Sequence, residues 1–487
     1  MPPRFKSLYK HVPSPKDERQ RRLLQDAQLR RFHREQSFMG KRVRYRTTPQ
    51  ESETETEYEF TRSDTAELVE GLESRDGDER KQALATLCAK LEQPSEELRR
   101  FVVEGKCIDL VTGILSAAAD GEAVLALWCI TNVAASEGSG VSECALRAAP
   151  YVAPHLESGA VEVRNQAAWA LGNMAAEGPE ARNQLYANGV LQALLQLVRT
   201  EAEPEVLQTA WFAVSNMART PSTFFDALFG LKVPELVAQQ TGAAGNDAAC
   251  VVELAWVAVY LTAAGAADRT DQFLETGAVD AFLQRSKELD RVQLIPVVRM
   301  LGNIAAGTDA QTHRLVTKPG FLDLLARCVG SSRAVEKEAL WVLSNVTAAG
   351  KDAVDAVVAH ATLVDSLVRI IETQGFDIRK EAAFSLLNIA IVGAGASLLP
   401  NARLVPEFVD FVRSHDDQLV RLGVQYIAVL FDQLPERQGP ELLRAVDGAI
   451  DALETLVAVT GSDQTRSAVS ALIDDYYGES AAAPLAS

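Results

Sequence analysis

The sequence predicts an all-α solenoid, a right-handed superhelix of repeats behind a flexible basic arm, and three observations carry that expectation. A pair four residues apart, Trp169 and Asn173 in VRNQAAWALGNMAAEG, recurs as Trp128/Asn132, Trp256/Tyr260 and Trp341/Asn345, and in altered form as Phe212/Asn216, Arg299/Asn303 and Phe384/Asn388. The second members follow one another at steps of 41, 43, 44, 43, 42 and 43 residues. Hydrophobic residues make up 47 % of the chain and aromatic ones 6 %, which suits Ala/Leu/Val helices packed on one another. A helical period of about 40 to 47 residues is the signature of an armadillo or HEAT array, in which each repeat touches only its neighbours.

Residues 1 to 46 form the arm. Fourteen Lys/Arg stand there against Asp17, Glu18, Asp26 and Glu35, a net +10, so a total of −18 leaves −28 on the rest. An acidic body of this kind rejects nucleic acid and anionic membranes and attracts a basic ligand, of which its own N-terminus is the nearest. Ser14, Pro15, Asp17 and Glu18 supply helix-start signals. The apolar residues that follow are few, so this helix is expected to fold on a partner.

Residues 47 to 63, TTPQESETETEYEFTRS, read as an acidic flexible linker. The solenoid is expected over 64–479, about ten repeats, with 480–487 a short tail. Its first repeat has a turn at Asp76-Gly77 and no Trp/Asn pair, which marks it as a cap. In later repeats Gly189, Gly277 and Gly320, with Gly230 in the same role, mark tight turns before the second helix. After Asn388 the period continues without its pair, through Gln425-Tyr426-Ile427 to a last repeat over Ala452 to Tyr477.

Residues four apart share one face of a helix, so the pairs present an aromatic and an amide side by side, with Tyr260 in place of the amide and Arg299 in place of the aromatic at one rung each. Packed helices lie about 8 to 10 Å apart and an extended peptide advances about 3.3 Å per residue, so one repeat spans about three ligand residues. Successive Trp rings would wall slots for aliphatic stems, with cation–π attraction for the charged heads, and each Asn would serve the ligand backbone. Glu253, Glu338 and Glu381 each precede the aromatic of their pair by three residues, while Glu177 follows Asn173 by four and Asp309 follows Asn303 by six. Such carboxylates select Lys or Arg. A lone Trp would be core and a lone Asn a cap, but packing alone gives no reason for an amide at every repeat.

Catalysis finds no support. The six histidines are scattered, there is no HExxH and no P-loop, and no metal or cofactor is expected. Six cysteines without a CxxC read as buried, reduced thiols of a cytosolic or nuclear protein. The most apolar runs fall in register with the repeat and read as core helices rather than membrane spans. The rival reading is an armadillo scaffold for signalling or adhesion that binds other extended partners; groove acidity and the basic arm argue against it.

Taken together, these residues resemble the importin α family of nuclear import adaptors. The likeness runs from the basic arm (RFKSLYK, ERQRRLLQDAQLRRFHRE, KRVR) through ELAWVAVYL, VVRMLGNIAAGTDAQT, EKEALWVLSNVTAAG and RKEAAFSLLNIA to LIDDYY. It implies a major peptide site of Trp128, Asn132, Gln166, Trp169, Asn173, Glu177, Phe212, Asn216, Glu253 and Trp256, with Glu177 anchoring the ligand lysine where the family has Asp. It implies a minor site of Asn303, Asp309, Thr312, Glu338, Trp341, Asn345, Glu381, Phe384 and Asn388, with Arg299 interrupting the ladder. It further implies importin β binding and autoinhibition through Arg4, Lys6, Arg19, Arg21, Arg22, Arg30, Arg31, Lys41, Arg42 and Arg44. Cargo with basic nuclear localisation signals, importin β and an export receptor are the implied partners, and a shuttling, autoinhibited monomer the implied form. Phe212 and Phe384 depart from the family's Trp, and its threonine beside the anchoring pocket falls on Val141 or Ser139.

Overall fold

The computed structural model describes residues 60–92, 95–136, 140–219, 222–243, 245–263, 267–392, 403–435 and 437–477. The basic arm, most of the linker, Ser139 and the tail lie outside them. The described residues are helical, without a strand among them, and divide into a unit ending at Arg285 and one beginning at Ser286. No helix among them is long and apolar enough to cross a membrane.

The first unit opens with the helix Arg62–Glu73, which begins inside the stretch assigned to the linker. The cause is a reciprocal cap. Thr61 N–H donates to the Asp64 carboxylate at 2.7 Å and the Thr61 hydroxyl accepts from Asp64 N–H at 3.4 Å, so Asp64 is the third helical residue rather than the first. Asp76 then caps Gly77–Leu91. Leu68, Leu72, Leu84, Leu87 and Leu91 are buried in this two-helix opening repeat.

Three helices per repeat follow, the armadillo arrangement. Glu96–Val103, Cys107–Leu115 and Asp120–Ala135 make the second repeat, and Pro179–Ala187, Val190–Thr200 and Pro204–Met217 the fourth. In the third, Pro150 and Pro154 each remove a backbone donor, and residues 141–157 break into short α and 3-10 turns before Val161–Ala176. Phe225–Gly230, Val233–Gly242 and Ala248–Ala263 form the fifth. The third helices Asp120–Ala135, Val161–Ala176, Pro204–Met217 and Ala248–Ala263 pack each on the next.

Gly189 and Gly277 take left-handed backbone (φ 77° and 80°) ahead of their second helices, as expected. Gly230 does not. It is the last residue of its helix, and Lys232 occupies the left-handed position with φ 59°. Register explains the exchange: Lys232 follows Asn216 by 16 residues, as Gly189 follows Asn173.

The second unit has the same construction from Leu294–Ala305 to Asp463–Tyr477, with Gly320 left-handed at φ 82°. Where the pair disappears, the side chain at that level is core. Tyr426 stacks on Phe408 with ring centroids 3.9 Å apart and is fully buried. The last repeat has its final two helices at Ala449–Val459 and Asp463–Tyr477, so the first of them starts three residues before Ala452. The closing YY is pinned: Tyr477 Oη donates to the Pro440 carbonyl at 2.9 Å, and Tyr476 packs on Phe431.

All six cysteines are free, five of them buried and Cys144 half-buried. Burial pushes the Cys107 and Cys250 thiols up to about 12.

Candidate functional site: an aromatic and amide ladder on the third helices

In the first unit the ladder residues lie on successive packed helices. Trp128, Trp169, Trp256 and Tyr260 are half-buried, so each keeps part of its ring open. Phe212 is 4 % exposed. Trp211, its neighbour, is fully buried and belongs to the core, so it does not stand in for the missing ladder Trp.

The asparagines have a packing role that sequence reasoning missed. Asn173 Nδ2 donates to the Thr131 carbonyl at 3.3 Å and Asn216 Nδ2 to the Gly172 carbonyl at 3.1 Å. Each acceptor stands one residue before the preceding ladder Asn, so these two amides tie their helices to the helix before. Gln166 adds a bond from Nε2 to Thr131 Oγ1 at 2.7 Å. Asn132 heads the series behind a repeat that has no pair. Its amide is buried, and among the described residues neither its nitrogen nor its oxygen has a hydrogen-bond partner. The amides of Asn173 and Asn216 therefore do have a structural reason, contrary to the expectation from sequence, and any role toward a ligand comes in addition to it.

Glu177 is half-buried in the cap position at the end of Val161–Ala176, and Glu253 is buried one turn before Trp256. Val141, the described candidate for the family's threonine position, is buried at the start of a short helix. Two cations near this face were not anticipated. Arg182 is 4 % exposed and donates from Nη1 to the Ala175 carbonyl at 3.2 Å, and burial pushes its guanidinium down to about 10. The Arg219 guanidinium lies 6.0 Å from the centre of the Tyr260 ring. Its position three residues past Asn216 was the available signal.

The second unit differs. Trp341 and Phe384 are 5 % and 7 % exposed. Asn388 repeats the amide link, from Nδ2 to the Ser344 carbonyl and to Thr347 Oγ1, both at 3.2 Å, whereas Asn345 donates within its own helix to the Trp341 carbonyl at 3.0 Å. Asn303 is half-buried. Arg299 is buried and pairs with Glu338, Nη2 to Oε1 at 2.5 Å. Glu338, expected to select a ligand cation, thus already holds one from its own chain. Glu381 is half-buried and accepts from Ser344 Oγ at 3.5 Å. Asp309 is half-buried in the first turn of Asp309–Val316. Thr312 points back into the fold, its hydroxyl on the Ala305 carbonyl at 3.0 Å.

Three-helix repeats joined helix to helix by periodic amides define an armadillo-class solenoid. A HEAT-like repeat family matches residues 161–217. The crystal structure of an engineered protein superimposes with a TM-score of 0.71 at 21 % identity, covering 84 % of this chain and 97 % of that one, a likeness of fold. Importin subunit alpha-9 of Arabidopsis thaliana is 31 % identical over 419 residues, 81 % of this chain and 78 % of its own length. Importin subunit alpha-2 of Oryza sativa subsp. japonica is 30 % identical over 425 residues, 82 % and 78 % of the two chains. The chain belongs to the importin α family. At the level of that family its role is that of a non-enzymatic nuclear import adaptor.

Proposed function

We propose that this protein binds Lys/Arg-rich nuclear localisation signals as extended peptides along the Trp/Asn ladder and passes the cargo to importin β through residues 1–46. One observation carries the reading: Trp128, Trp169 and Trp256 keep ring surface open, while Glu177 closes the helix that bears Trp169 and Glu253 lies one turn before Trp256. Open indole faces take the apolar stems of Lys and Arg, and a carboxylate at the slot takes the charged head. The major site is then the ten residues from Trp128 to Trp256 named above, with Glu177 as the lysine anchor. The minor site, from Arg299 to Asn388, takes a second basic cluster through effective concentration.

The arm is the regulator in this proposal. Residues 47–63 tether Lys41-Arg42-Val43-Arg44 close enough to compete for the groove as a basic ligand, and importin β removes the competition by taking the whole arm as a helix. Cargo and importin β then bind cooperatively by linkage. An export receptor returns the empty, autoinhibited monomer to the cytoplasm, so the protein shuttles.

Two measurements test this. Calorimetry of a monopartite Lys-rich peptide should show Glu177→Arg losing about 2 to 5 kcal/mol, the cost of removing one partner of a buried charge pair; unchanged affinity sinks the anchor. Pull-down with importin β should succeed with the full chain and fail without residues 1–46, and capture by both would remove the arm from the proposal.

A further inference from the structure

The three ladder tryptophans that follow another described rung in their own unit sit at different depths, and the difference tracks the residue just before the preceding ladder asparagine. That residue is Thr131 ahead of Trp169, Ser215 ahead of Trp256 and Gly302 ahead of Trp341. Trp169 and Trp256 are half-buried, whereas Trp341 is 5 % exposed. The glycine leaves room for the recess. A β-carbon built at Gly302 would fall inside the indole of Trp341, against Cζ3, Cε3 and Cη2. The same contact recurs in the first unit, where a β-carbon at Gly172 would lie 2.7 and 2.9 Å from Cε1 and Cδ1 of Phe212, which is also buried. In both places the ring occupies volume that any other residue would fill.

We propose that the residue immediately before each ladder asparagine sets how far the next rung's tryptophan projects, and so decides which rings wall a ligand slot and which form its floor. Thr131 and Ser215 hold Trp169 and Trp256 out as walls; Gly302 lets Trp341 sink to become floor. Phe384 follows Ser344 and is buried, so the relation is stated for the indole, whose second ring makes projection possible. The wall or floor consequence rests on the groove reading above, while the depth relation stands apart from it. These residues act through the ring they support and are positioning residues.

The test uses the full chain labelled with 5-fluorotryptophan, which carries five tryptophans. Each resonance is assigned by single Trp→Phe changes, and the H2O/D2O isotope shift reports ring exposure. Ser215 suits the experiment because its hydroxyl bonds within its own helix, to the Phe212 carbonyl at 2.8 Å. Ser215→Gly should lower the isotope shift of Trp256 and weaken a monopartite Lys-rich peptide about two- to fivefold, the range of one exposed cation–π contact. Ser215→Ala keeps the β-carbon and should leave both unchanged. Gly302→Ala should move Trp341 the other way, toward solvent; should that variant not fold, the Ser215 pair decides alone. Equal isotope shifts in Ser215→Gly and Ser215→Ala, or equal loss of binding in both, overturn the inference. If the unaltered chain binds no basic peptide, the groove reading fails, and the isotope shifts still pass or sink the depth relation.

Discussion

The rungs before Arg285 and those after Ser286 share a spacing and differ in what they offer a ligand. In the first group three tryptophans keep ring surface open and Glu177 closes its helix. In the second both aromatic rungs are buried and the basic rung Arg299 is tied to Glu338. A motif four residues long therefore does not fix a binding surface. What sets it is the charge already spoken for beside a ring and, on the depth relation proposed above, the residue behind each tryptophan.

The largest expected effect comes from breaking the ion pair that sets the second group apart. Glu338→Gln should destabilise the protein by about 3 kcal/mol, because Arg299 loses a buried carboxylate partner, and should change monopartite peptide affinity little. Thermal unfolding read with calorimetry checks both. A large affinity loss without destabilisation would make Glu338 a ligand residue like Glu177 and erase the contrast.

Removing the arm sharpens the comparison next. A tether giving a local concentration on the order of a millimolar, acting on a site of about 10 µM, lowers apparent affinity about 100-fold. A chain starting at Thr47 should therefore bind Lys-rich peptide more tightly, strongly at low salt and less at high salt, since exposed charges are screened. The gain is expected at the open rungs of the first group. No change at either salt would mean the arm does not compete.

The smallest effect concerns the backbone. Lys232 before Arg285 and Arg437 after Ser286 both hold left-handed φ, at 59° and 72°. A non-glycine residue there costs about 1 to 2 kcal/mol, so Lys232→Gly and Arg437→Gly should each raise the unfolding midpoint. Destabilisation by either would show a side chain whose contacts outweigh the strain.

The array was legible in the sequence because one helix in three carries a repeating pair and because left-handed turns favour Gly. Lys232 broke the second signal: nothing in a lysine announces positive φ, and only counting from Asn216 places it. The helix start at Thr61 was hidden because its reciprocal partner is Asp64 rather than the Glu or Gln usual at that spacing. The ladder positions were legible, but not their partners, which lie a whole repeat away. The Asn173 and Thr131 bond spans 42 residues, and Arg299 and Glu338 are 39 apart. The depth of a ring was hidden for the same reason: Gly302 acts on Trp341 from the preceding helix.

The amide links also say what kind of variation the array tolerates. Steps of 41 to 44 residues separate successive rungs, yet Asn173, Asn216 and Asn388 all reach the carbonyl one residue before the rung behind. Length differences must therefore be absorbed in the turns and short helices. One residue inserted within a third helix, between its start and its Asn, would rotate that amide by about 100° and carry it off its carbonyl. Each repeat is thus free in length but fixed in phase, and copying errors that change the chain by a single residue are harmless or disruptive according to which helix receives them.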